Sequence, residues 1–255
     1  MLVKLTDNVG KSISRRLSLL RCFSAFELLK VNWLLGPIKV TNTKLLKTHD
    51  GEDLTVRCED LFTFNEIFVD GEYSKLSKMG IYPELIVDVG ANVGFATRYF
   101  LSLWPQTRVL AFEPVDSNYI QFLSNTTRYA NVKCHNYGLA TVSRTTRFVL
   151  NGGGSCEDMS NGSERVELCD FFEKLHELHI DILKIDIEGE ERNIIADERF
   201  NELLSRVVTL VIELHGTREL RDSLVYKVDE ISSKLGKRVI RDRVIFDNAE
   251  IVWVY

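Results

Sequence analysis

The 255-residue sequence predicts an α/β fold, a mostly parallel, doubly wound sheet with helices on both faces. Three observations predict it. After Tyr82-Pro83, apolar strand-like runs alternate with helical patterns, as right-handed crossovers between parallel strands require. The stretch VDVGANVGFA, residues 87–96, sets a glycine turn where a strand meets a helix. About 20 residues further on, Glu113 closes the next strand, the usual position of an acid that holds a nucleoside ribose in such sheets.

The elements follow in order. Residues 13–35 place Ile13, Leu17, Leu20, Leu28, Val31 and Leu35 near helical spacing, with Arg15, Arg16, Arg21 and Lys30 between them. This predicts an amphipathic helix or helix pair, and residues 1–36 form an N-terminal segment of their own. Two readings of it are open: packing on its own domain or on a partner subunit of an oligomer, or peripheral contact with a membrane surface. Arg21, Glu27, Lys30 and Asn32 interrupt any run long enough to span a bilayer, and Gly36-Pro37 ends the pattern.

Residues 37–82 read as a β-rich lead-in. Short β-prone pieces from Lys39 to Phe68 flank the turn HDGED and predict a small antiparallel ribbon. Residues 83–255 form the main domain. ELIVDV, RVLAFE, VKCHN, DILKID, VVTLVIE, KRVIRD and EIVWVY read as strands, the last as an edge strand. GFATRYFLSLW and a run through Leu123 read as helices. NGGGSCEDMSNGSE, residues 151–164, is too glycine-rich for a core element. It reads as a mobile loop that closes over a substrate or as a solvated insertion, with Gly154-Ser155 facing the acceptor in the first case.

Composition narrows the function classes. Apolar residues make up 45% of the chain, ample for a packed core. The first 50 residues hold nine Lys and Arg against three Asp and Glu; the remaining 23 basic and 34 acidic residues leave the body at a formal charge of −11. An acidic body is a poor nucleic-acid surface. Cys22, Cys58, Cys134, Cys156 and Cys169 are odd in number and widely spaced, so they read as reduced thiols and not as a disulfide frame or zinc site. No secretory leader is expected, the sequons at Asn125 and Asn161 are expected to be idle, and the location is expected to be cytoplasmic.

Asp88 discriminates among nucleotide ligands. A dinucleotide would bring an anionic pyrophosphate to the glycine turn, where a carboxylate repels it. S-adenosylmethionine has no phosphate and carries an ammonium and a sulfonium, so Asp88 at the turn and Glu113 on the ribose suit that cofactor better. The competing reading makes Asp88 a cap of the following helix. Asn92 stands between Gly90 and Gly94, where its tolerance of left-handed backbone is useful.

The segments IVDVGANVGFAT, AFEPVDSN, DILKIDIEGEE and VIELHG, in this order and spacing, resemble the FkbM family of S-adenosylmethionine-dependent methyltransferases. The resemblance covers roughly Tyr73 to Leu214. It implies a class I methyltransferase fold, usually with a seven-stranded sheet, and mostly O-methylation of hydroxyls on carbohydrates, polyketides or other secondary metabolites. Carried over position by position, Asp88, Gly90, Asn92 and Gly94 match the cofactor turn and Glu113 the ribose acid. Asn118 follows in the next helix, and His135, Asn136 and Gly138 lie where such folds surround the adenine. His135 reads equally well as a satisfied strand histidine.

Chemistry belongs at the carboxyl ends of the fourth and fifth strands of the main sheet. Asp186, Glu188, Glu213 and His215 are the candidate catalytic residues. A carboxylate at Asp186 could align an acceptor hydroxyl and take its proton, and His215 is the candidate imidazole base. Lys184 shares a strand face with Asp186 and could pair with an acid there. Glu188, Glu190 and Glu191 invite a metal reading, but an acidic first helical turn complements the helix dipole without one, and no metal ligand is assigned. Two rival functions remain at this level: an RNA 2′-O-methyltransferase, against which stands the absence of lysine between Asp186 and Glu213, and a non-catalytic cofactor-binding or scaffold protein.

Overall fold

The computed structural model describes residues 44–48, 51–151, 154–157, 162–243 and 249–255. The predicted amphipathic segment at 13–35 lies outside them, as do residues 152–153 and 158–161 of the glycine-rich stretch. Strands β1 (Lys44–Lys47) and β2 (Asp53–Val56) pair antiparallel, forming the expected ribbon. Beyond it the β-rich reading fails. Cys58–Asp60 is a 3₁₀ turn, Leu61–Phe64 a turn of α-helix (α1) and Asn65–Val69 a π turn. Phe64, Ile67 and Phe68 recur at helical spacing and bury one face together, so tertiary packing outweighs the strand propensity of these aromatic and branched residues.

The alternation expected of the main domain is present: β3 (Leu85–Val89), α2 (Phe95–Leu103), β4 (Arg108–Phe112), α3 (Asp116–Thr126) and β5 (Val132–His135). A second sheet follows, built from β6 (Gly138–Ala140), β7 (Arg144–Asn151), β8 (Gly154–Glu157) and β9 (Glu164–Asp170) in the order β6-β9-β7-β8. Part of the predicted loop is therefore a strand: β8 pairs antiparallel with β7, Leu150 opposite Ser155 and Asn151 opposite Gly154. The chain then returns through α4 (Phe171–Leu175), β10 (Ile180–Ile185), α5 (Glu191–Ala196), α6 (Arg199–Ser205), β11 (Val207–His215), α7 (Arg218–Lys234), β12 (Val239–Arg243) and β13 (Ala249–Val254).

The main sheet has seven strands in the order β12-β13-β11-β10-β3-β4-β5. β5, β4, β3, β10 and β11 are parallel, and β13 runs antiparallel to both neighbours. The expected edge position of EIVWVY is thus corrected. β13 inserts between β11 and β12, all six of its residues are buried, and the edge is β12. A continuous apolar run is what burial on both faces of a sheet demands.

Strand alternation divides the core into two layers. Val87, Val89, Leu183, Ile185, Leu210 and Ile212 face the helices α4 to α7. Ile86, Ile182, Val211, Ile251 and Trp253 face the opposite way, toward α2 and the lead-in residues Leu46, Leu54, Phe64, Phe68 and Tyr73. The lead-in therefore shares one core with the main sheet. Buried Arg98 of α2 pins it by donating to the Asp53 and Asn125 carbonyls and the Thr48 hydroxyl. Among the described residues no helix is long and apolar enough to cross a membrane, and Cys58, Cys134 and Cys169 are free thiols.

Candidate active site

The strand order reverses between β3 and β10, and a crevice opens outside the carboxyl ends of the strands at such a switch point. Here it is a cavity of about 850 Å³, lined by the turn after β3, the end of β4, the turn after β10, the end of β11 and the lead-in helices.

The turn after β3 is shaped by close approach. Gly90 has φ +77°, and a Cβ there would lie 1.7 Å from the Asp186 carbonyl oxygen, so only glycine lets the β3 and β10 turns touch. Asn92 sits in the left-handed region at φ +50°, as its type permits. Its backbone N–H donates to Glu113 Oε2 at 2.8 Å, and the Val115 N–H donates to Oε1 at 2.9 Å. Asn118 also hydrogen-bonds Glu113, and Asn118 in turn accepts from Arg57 at 2.9 Å. Burial still dominates: the Glu113 carboxyl is pushed up to about 7 despite these donors and nearby Lys184. Asn125 anchors the same turn, donating to the Val93 carbonyl and accepting from the Thr55 N–H, both at 2.8 Å.

The eight expected cofactor residues divide in this geometry, five on the cavity and three off it. Gly90, Asn92, Glu113, Asn118 and Gly138 line the cavity. Asp88 does not. It is fully buried one strand position back, accepting from Thr97 Oγ1 at 2.7 Å and paired with Lys184 Nζ at 3.2 Å. Its carboxylate thus reaches a ligand only through Lys184, which donates to the Gly90 carbonyl at 2.6 Å. Gly94 starts α2 at φ +87° with its Cα backed by Phe122, outside the cavity lining. Asn136 is exposed and bonds Asp116 instead. His135 stacks on Phe112, ring centroids 5.3 Å apart, in keeping with its reading as a satisfied strand histidine.

The four candidate catalytic residues all line the cavity. Asp186 presents Oδ2 to Lys184 at 3.5 Å and Oδ1 toward His215 Nε2 at 3.9 Å. Glu213 Oε1 stands 3.5 Å from the same nitrogen. Glu188 is exposed at the rim and, with Gly189, turns the chain through positive φ, +53° and +111°. Glu191 closes this turn from within: buried, it accepts from the Ile187 and Gly189 N–H groups at 3.1 and 2.7 Å. It also accepts from His215 Nδ1 at 3.0 Å. The K-I-D-I-E-G-E-E segment is therefore a shaped loop, with one acid displayed at its start and another holding it.

Burial lowers the basicity of His215, but Glu191, Glu213 and Asp186 outweigh it and push the imidazole up to about 12. In this arrangement the ring favours its protonated form and donates to the surrounding carboxylates. The sequence reading missed two further acids of the cavity. Glu66 and Glu72 of the lead-in line the cavity opposite Asp186 and Glu213. Burial, with the charges of Glu213 and Asp186, pushes Glu66 up to about 8, and burial raises Glu72 as well. Their signal in sequence was the run FNEIFVDGEY, in which three acids interrupt apolar residues, masked by its reading as β-structure.

Comparison with known proteins places these features in context. The methyltransferase FkbM domain model matches residues 88–239. Methyltransferase 1 of Beauveria bassiana is 26% identical over 189 residues, covering 61% of this chain and 74% of that protein. A 98-residue stretch, 38% of this chain, is 35% identical to 5% of the AMB antimetabolite synthetase AmbE of Pseudomonas aeruginosa. Among solved structures, methyltransferase FkbM from Methylobacillus flagellatus is similar at 17% identity and a TM-score of 0.48, over 68% of this chain and 43% of that longer one.

Proposed function

Since the chain belongs to the FkbM methyltransferase family, its domain model matching more than half of the residues, we propose that it binds S-adenosylmethionine and methylates a hydroxyl of a small molecule, a carbohydrate or secondary metabolite. When bound, the cofactor supplies a methyl group on an already electrophilic sulfonium. The protein's tasks are then to hold the cofactor, align the acceptor and accept its proton.

The single observation that carries this reading is the buried Glu113 carboxylate beside the bare Gly90 turn. Glu113 is oriented by three hydrogen bonds and faces the cavity with acceptor capacity for the two hydroxyls of a ribose. The ammonium at the Gly90–Asn92 turn, Lys184, is already paired with Asp88 and Asp186, and the surrounding acids oppose a pyrophosphate. Asp186 stands across the cavity, tied through its backbone to the Gly90 turn, where an acceptor hydroxyl could donate to it. Glu66 and Glu72, whose carboxyls are raised by burial, add polar groups on the lead-in wall.

Acceptor class follows from charge. The cavity presents Asp186, Glu188 and Glu213, and such a wall repels a phosphate backbone, which disfavours RNA as acceptor. The partial likeness to an antimetabolite synthetase supports a secondary metabolite. A screen of cell extracts with methyl-labelled cofactor tests this: label should enter a small, uncharged or cationic pool. Label confined to RNA would replace the acceptor class, and no transfer with intact cofactor binding would favour a non-catalytic role.

Affinity for adenosylhomocysteine is expected to depend on pH through Glu113. Ribose hydroxyls donate to the ionised carboxylate, while the free protein holds its carboxyl at about 7. Binding must therefore weaken as pH falls through that value, approaching about tenfold per pH unit below it. Glu66 titrates in the same cavity, so calorimetry on Glu113→Gln supplies the control. That variant should bind weakly with a flattened pH slope; an unchanged slope would assign the dependence to another group.

A further inference from the structure

Asp186, Glu213 and His215 each offer one ligand atom to a common point, and these atoms lie within 4.8 Å of one another. The His215 Nε2 distances, 3.5 Å to Glu213 Oε1 and 3.9 Å to Asp186 Oδ1, are at and beyond the limit of a hydrogen bond. The three groups are thus splayed around a gap and not collapsed onto each other. Donors that share one cation at about 2.0–2.2 Å stand roughly 3–4 Å apart, and the two distances from His215 Nε2 fall in that range.

We propose that Asp186, Glu213 and His215 form a binding site for a divalent transition-metal cation at the floor of the cavity, with Glu191 as the residue that positions the imidazole. Two carboxylates with one imidazole suit Mn²⁺, Fe²⁺ or Zn²⁺ better than Ca²⁺, which prefers oxygen alone. The support behind the ligands has the form such sites take. His215 donates Nδ1–H to buried Glu191 at 3.0 Å, which leaves Nε2 as the nitrogen turned to the gap. Lys184 Nζ lies 3.5 Å from Asp186 Oδ2, and Oδ1 is the oxygen paired with His215. Glu191 is itself fixed by two backbone N–H groups, so the imidazole rests on the loop and not on a mobile side chain. On cation entry the Nε2 proton leaves to solvent and its lone pair becomes the ligand.

A second observation points to a cation. Glu66 and Glu72 of the lead-in line the same cavity as the triad. Acids here outnumber the cations set against them, Lys184 and His215. A divalent ion would relieve that crowding. Its purpose rests on the methyltransferase reading, because a cation at this point could hold an acceptor oxygen in the cavity; its binding does not.

The test is a titration of the full chain, stripped with chelator, with Mn²⁺ followed by loss of the free-ion paramagnetic resonance signal, and with Zn²⁺ by calorimetry. One cation per chain is expected. Glu213→Gln, Asp186→Asn and His215→Ala should each weaken Mn²⁺ binding at least tenfold. Glu191→Gln should weaken it about tenfold through loss of positioning, with melting temperatures near that of the parent chain. Failure of the parent chain to bind either ion at millimolar concentration would overturn the inference, as would parent-like affinity in all three ligand variants. Adenosylhomocysteine binding on the same samples separates the two readings. A chain that binds the nucleoside but no cation removes the metal site alone; one that binds the cation but no nucleoside keeps the site and removes the methyltransferase reading.

Discussion

Lys184→Met is expected to destabilise the fold by about 3–5 kcal/mol, the cost of leaving a buried charge without its partner. Lys184 is only 3% exposed, and its ammonium lies 3.2 Å from Asp88 Oδ1, which has no exposure at all. It also donates to the Gly90 carbonyl and sits 3.5 Å from Asp186. Burial opposes its charge, yet Asp88 and Asp186 hold the ammonium above the ordinary lysine range. Methionine keeps the volume and removes the charge, so Asp88 would retain only Thr97 as a partner. Denaturant unfolding should show a lowered midpoint at unchanged slope. The double variant Lys184→Met with Asp88→Asn should recover much of the loss, since the stranded charge is then gone. A single-variant loss under about 1 kcal/mol would mean that water reaches Asp88 and that the pair is no keystone of the β3–β10 junction.

Asp186→Asn is expected to lower methyl transfer by about 10²-fold or more while sparing cofactor affinity. Asparagine preserves the shape and the backbone contact with Gly90 but accepts no proton and carries no charge. The residue stands across the cavity from Glu113, so ribose contacts are untouched. Single-turnover transfer to the acceptor found in the extract screen measures the first effect, and calorimetry with adenosylhomocysteine the second. Near-normal turnover would remove Asp186 from the chemistry and shift proton acceptance to Glu188 or Glu213.

The parallel heart of the fold was legible because its signals are local. Alternation of strand and helix patterns located β3 through β5, β10 and β11, and strand-end position located Glu113, Asp186, Glu213 and His215 on one cavity. Where the reading failed, long-range packing had decided the outcome. EIVWVY looks like any final strand, and only the antiparallel insertion of β13 between β11 and β12 buries Trp253 completely. The 58–69 stretch has strand-prone residues, yet its buried Phe64, Ile67 and Phe68 follow helical spacing against α2. That misreading hid Glu66, and Glu72 beyond it. Asp88 was placed at the cofactor because the turn is adjacent in sequence; strand alternation instead points its carboxylate into the sheet toward Lys184, which pairs with it across β3 and β10.

The central claim is that the cavity at the β3–β10 switch point is an adenosylmethionine site organised by Glu113. Calorimetric titration of the full chain with adenosylhomocysteine, and separately with NAD, tests it most directly. The account predicts saturable binding of the sulfur nucleoside, no response to NAD, and a loss of about 1.5–3 kcal/mol in Glu113→Ala, the worth of charge-assisted hydrogen bonds to a ribose. NAD binding without any response to the sulfur nucleoside, or a Glu113→Ala protein that binds adenosylhomocysteine as tightly as the parent chain, would contradict it.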